Sequence, residues 1–68
     1  MKISARNVLK GTILDVQKGA TTAHVKIDVG GKVVTSAITN EAVDELGLAK
    51  GQVAYAVIKA SDVMIAVD

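Results

Sequence analysis

The feature that most narrows the folds open to this chain is a pair of β-like segments joined by two glycines. Across residues 22–29, Ala23, Val25, Ile27 and Val29 fall on one side, and His24, Lys26 and Asp28 on the other. That period-2 pattern predicts a half-buried strand. Gly30 and Gly31 follow; such a pair predicts a type I′ turn, in which both central residues need positive φ. The return strand is 32–38, rich in Val and Thr. An antiparallel hairpin is therefore expected, and the rest of the chain must extend it or cover it.

Upstream, residues 10–18 (KGTILDVQK) mix β-branched and polar residues and read as a strand beginning near Val8 and ended by Gly19. Downstream, Thr39 is placed to cap a short helix over 40–46, with Glu41 at the positive end of its dipole and Gly47 as its left-handed terminator. Two turns cannot stand alone in water, so this helix is expected to bury Ala42, Val43 and Leu46. Residues 52–58 (QVAYAVI) and 63–67 (VMIAV) predict two more strands, both apolar on both faces. Five short strands and one small helix give an all-β fold, a compact OB-like five-stranded barrel.

Composition enters where burial is counted. The chain has 68 residues and half of them are apolar. A chain this short hides only about 60 % of its unfolded surface, so its core is marginal without help. There is no Cys, which removes disulfides and zinc–thiolate sites. His24 is the only histidine and cannot build a metal site alone. Strands with two apolar faces need a second cover, and another copy of the chain is the simplest one. One domain spanning 1–68, in a homo-oligomer, is the expectation.

Two polar clusters stand apart from this scaffold: Ser4, Arg6 and Asn7 at the front, and Lys59 and Ser61 near the end. In an extended segment Ser4 and Arg6 share a face. A hydroxyl beside a five-donor guanidinium suits an oxyanion better than a metal or a base. If the clusters met, Arg6 and Lys59 would neutralise a dianion. Ser4, Ser61 and the amides of Ala5 and Ala60 would then take its remaining oxygens. Each cluster alone is also what a solvated terminus or an ordinary turn looks like.

Other chemistries find little support. Asp44 and Glu45 are adjacent on the helix and do not face each other. Gly30 and Gly31 lead into no phosphate loop. No nucleophile–base pair or metal set is visible, so no enzyme is expected. The formal charge is +1 and Tyr55 is the only aromatic, a poor match to an OB-type nucleic-acid surface, which stacks bases in a basic groove. No apolar stretch approaches the roughly 20 residues that span a bilayer. After Lys2 the polar residues Ser4, Arg6 and Asn7 interrupt any apolar run, so a cytoplasmic protein is expected.

The segments ISARNVLKGTI, KGATTAHV, SAITNEAVDELGLAKGQ and AVIKASDVMIAV resemble the molbindin (Mop) family of molybdate-binding proteins, a Mop/TOBE-type domain, essentially from end to end. The paired motifs SARN and KASDVM carry the resemblance. It implies five-stranded OB-like barrels assembled into hexamers, as trimers of strand-exchanging dimers. It also implies molybdate or tungstate bound at subunit interfaces for intracellular molybdenum storage, with no organic cofactor. Carried over by position, Ser4, Ala5 and Arg6 would face the anion from one subunit, and Lys59, Ala60 and Ser61 from another. Asn7 would be structural as readily as liganding. A second anion site is implied around Gly19, Ala20, Thr21 and Thr22. Related domains in regulators and transporter ATPases suggest an alternative, an oxyanion-sensing domain working with a partner chain.

Overall fold

The structure, a computed structural model, describes all of residues 1–68. Strands β1 (Asn7–Lys18), β2 (Thr22–Val29) and β3 (Lys32–Thr39) are followed by helix α1 (Asn40–Leu46) and strand β4 (Val53–Ile58). A 3-10 turn occupies Ala60–Asp62. The strands form one antiparallel sheet in the order β3-β2-β1-β4. No helix is long and apolar enough to cross a membrane.

The hairpin forms as its pattern requires. Ala23, Val25 and Ile27 are buried, while His24 and Lys26 are exposed. Gly30 and Gly31 both take positive φ, at 66° and 90°, and the Asp28 carboxylate accepts from the Gly31 amide at 2.9 Å. The Thr39 hydroxyl caps α1 by accepting from the Ala42 amide at 3.0 Å. Gly47 ends the helix at φ 61°, and the Gly47 and Leu48 amides return to the carbonyls of Asp44 and Val43. Of the helix's apolar residues only Val43 is buried. Leu46 remains 64 % exposed, so the expected burial of that side chain does not occur within one chain.

Strand β1 is shared between two partners. Residues from Thr12 to Lys18 pair with β2, and those from Asn7 to Thr12 pair with β4. The register with β2 slips between Ile13 and Asp15, leaving Leu14 as the extra residue of a bulge that bends the strand. There Ile13 bonds through its amide to the Gln52 carbonyl at 2.9 Å and through its carbonyl to the Gly51 amide at 2.8 Å. Gly11 sits at the crossover. A Cβ there would lie 2.2 Å from the Asp28 carbonyl oxygen and 2.8 Å from Val29 Cγ1, and backbone cannot yield as a flexible side chain can. Gly11→Ala is expected to cost about 2–3 kcal/mol and to lower the thermal midpoint by roughly 10 °C or more. Far-UV circular dichroism melts check it.

The core is very small. Ile13, Ala23, Val25, Ile27 and Val43 are the only buried residues among 68. Fourteen large apolar side chains are exposed, among them Val53, Tyr55, Met64, Ile65 and Val67. The Cα radius of gyration is 12.6 Å, against about 11 Å for a compact chain of this length.

The expected five-stranded barrel is met only in part, because four strands form and the fifth does not. Residues 63–67 are exposed and join no ladder. A strand exists only beside a neighbour with free backbone groups. The free edges in this chain are β3 and β4, and between them opens an apolar groove of about 710 Å³. Val34, Ile38, Leu46, Leu48, Ala54 and Ala56 are among its lining residues, and none of residues 63–68 is. The chain's own tail does not fill the space that a fifth strand would close.

Candidate functional site

Long-range register brings the two polar clusters together. In the β1–β4 ladder the paired residue numbers sum to 65, from Thr12 with Val53 to Asn7 with Ile58. One step further outward the same count sets Arg6 opposite Lys59, then Ala5 opposite Ala60 and Ser4 opposite Ser61. The ladder stops at Asn7–Ile58, because the chain bends at Arg6 and Ser4 on one side and enters the 3-10 turn at Ala60 on the other. Both clusters thus leave the same final rung of one chain, whereas the resemblance implies that they reach an anion from two different subunits. The alternation expected to put Ser4 and Arg6 on one face is not enforced by any ladder, since β1 begins at Asn7.

Ser4, Arg6, Lys59, Ala60 and Ser61 are exposed, and Ala5 and Asn7 are half-buried. Neither cation has an anionic partner: the only ion pair joins Lys18 Nζ to Asp44 Oδ1, on the surface. The Ala60 and Ser61 amides, like that of Ala5, donate to no acceptor in the chain. The Lys59 and Ala60 carbonyls, by contrast, accept from the Asp62 and Val63 amides at 2.9 and 3.3 Å. The 3-10 turn therefore uses its carbonyls internally and leaves its first amides free. Asp62 adds one carboxylate to this corner. Asn7 differs from the others, because its Nδ2 donates to the Ile58 carbonyl at 3.2 Å.

Such a set of donors can hold an oxyanion. Two like charges at one spot repel, and a dianion between them removes that cost. Hydroxyls and free amides then complete a shell of donors with no competing internal bonds.

Gly19, Ala20 and Thr21 lie elsewhere, in the turn between β1 and β2 at the far end of β1 from Asn7, and Thr22 opens β2 opposite Thr39. The Gly19 amide donates to the Thr22 carbonyl at 2.8 Å. The turn is fastened by Asn40, a residue whose role at the start of α1 the sequence pattern did not reveal. Its amide donates to the Thr21 carbonyl and its Nδ2 to the Gly19 carbonyl, both at 2.9 Å. Asn40 Oδ1 is buried without a donor in the chain. The nearby cation of the strand end, Lys18, is already engaged by Asp44.

Residues 3–65 match the TOBE domain family. A probable molybdenum-pterin-binding protein of Haemophilus influenzae is 49 % identical, with all of both chains covered. A molybdate-binding protein of Sporomusa ovata, solved at high resolution, superposes with a TM-score of 0.93 at 35 % identity, covering 97 % of this chain and 98 % of that one. The cytoplasmic molybdate-binding protein ModG, solved with molybdate bound, gives 0.90 at 49 % identity over 94 % of this chain and 46 % of its own. With 63 of its 68 residues inside the domain match and whole-length similarity to the Haemophilus and Sporomusa proteins, the chain belongs to the TOBE-domain family and, within it, to the molbindin (Mop) proteins.

Proposed function

We propose that this protein binds molybdate, and tungstate as its near equivalent, as a store of the oxyanion in the cytoplasm, without catalysis. The observation that carries this reading is the shared rung, Asn7–Ile58, from which Arg6 and Lys59 both emerge. Arg6 and Lys59 supply the charge, which any dianion satisfies. The Ser4 and Ser61 hydroxyls and the amides of Ala5, Ala60 and Ser61 supply the short-range donors. Asn7 belongs to the same motif. Support from relatives is direct in kind: the Sporomusa protein and ModG are both described as molybdate-binding, and ModG as cytoplasmic.

The exposed state of these groups in one chain supports a site finished by a second copy. So does the tail beside it. Residues 63–67 follow the Lys59–Ser61 corner directly, are apolar, and lack a partner. The β3–β4 groove is apolar and lacks a filler. Exchange of that segment between copies would give each barrel its fifth strand, and a hexamer built from three such pairs is the assembly proposed. An anion held between copies then stabilises the assembly by mass action. A second anion position at Gly19, Ala20, Thr21 and Thr22 belongs to the same proposal; the unbonded amides of Ala20 and Thr21 support it.

Some relatives are named for a molybdenum–pterin ligand. The groove suits that ligand poorly. Thirteen of its sixteen lining residues are apolar, whereas a pterin's polar edge needs convergent donors and acceptors.

Titration calorimetry of the wild-type protein with molybdate, tungstate and sulfate tests the reading, alongside elemental analysis and molar mass in solution. The first two anions are expected to bind saturably and sulfate more weakly. No heat with molybdate would end the proposal.

A further inference from the structure

The donor set at the site has one member whose hydrogen bond points away from any ligand. Asn7 is half-buried, and its side-chain amide donates to the carbonyl of Ile58, its own cross-strand partner. An ordinary antiparallel rung is made by backbone groups alone. This one carries an additional side-chain bond at the place where the ladder ends and fraying would start. Ile58 immediately precedes Lys59, and Asn7 immediately follows Arg6.

We infer that Asn7 is a positioning residue of the oxyanion site: by tying the last rung it sets the separation of Arg6 and Lys59, and so the size of anion the site accepts. This rests on the molybdate reading and deepens it. Molybdate and sulfate have the same charge and shape and differ in size. The two cations attract both, so selection must come from a fixed span between donors. A terminal rung free to open by a few tenths of an ångström would hold the cations but blur the span. No other side chain in the molecule donates to the β1–β4 ladder.

The test compares wild type with Asn7→Leu, close in volume and without a donor, and Asn7→Ala, each titrated with molybdate and with sulfate. Loss of positioning is expected to weaken molybdate binding about fivefold or more, with sulfate nearly unchanged, so that the ratio between them falls. Equal loss for both anions would instead make Asn7 a ligand or a generic support, and overturn the inference. So would unchanged binding of both. Amide hydrogen exchange on the wild type needs no variant to fold. The Asn7 side-chain amide is expected to exchange slowly, both without anion and when saturated with molybdate. Exchange at the rate of an exposed carboxamide, or loss of protection on adding molybdate, overturns the inference while leaving molybdate binding intact. A wild type that binds no molybdate removes both, and the calorimetry alone shows which has failed.

Discussion

Deleting residues 63–68 should abolish assembly and leave a chain that is monomeric and largely unfolded at micromolar concentration. The segment holds Val63, Met64, Ile65 and Val67, all exposed in the single chain, the last three at 86 % or more. Burying each such side chain is worth about 1.5–3 kcal/mol. Three or four of them per copy amount to roughly 5–10 kcal/mol, which is the whole net stability of a typical domain. The five buried residues that remain are too few to replace that. Light scattering behind size exclusion, together with circular dichroism, reads both effects. A truncated chain with the mass and melting curve of the full one would refute strand exchange and leave the β3–β4 groove unexplained.

Arg6→Ala and Lys59→Ala should each weaken molybdate binding by roughly 10- to 150-fold, which is the loss of one charge-assisted contact worth about 1.5–3 kcal/mol. Neither side chain makes a contact that the fold depends on, so melting without anion should shift little. Sulfate should suffer in the same proportion, because charge does not distinguish the two. Arg6→Lys should fall between wild type and alanine, keeping the charge and losing the planar fork. Calorimetry in low-salt buffer measures all of this. Undiminished affinity in both alanine variants would remove the site from the end of β1.

What could be read from residue order alone follows the range of the interactions involved. The alternation in β2, the positive-φ glycines at 30 and 31, the Thr39 cap and the Gly47 terminator are local devices, and each stands where the pattern put it. The two polar clusters were visible as residue types. Their meeting was not, because it depends on a ladder whose last partners, Asn7 and Ile58, lie 51 positions apart. Gly11 carries no turn signal. Its necessity comes from the Asp28 carbonyl crossing over it, and a crossing of strands leaves no mark in local sequence. The apolar run at 63–67 has strand composition, yet composition cannot supply a partner.

The constant sum of 65 along the β1–β4 ladder also says where this domain can change length. An insertion or deletion of one residue between positions 8 and 12, or between 53 and 57, would shift one half of the binding set by about 3.3 Å and turn it to the opposite side of the sheet. The Gly30–Gly31 bend and the segment from 47 to 50 lie outside that count, whereas Gly51 and Gln52 are tied to Ile13. Peptides grafted into the domain are thereby confined to the same few permissive seams.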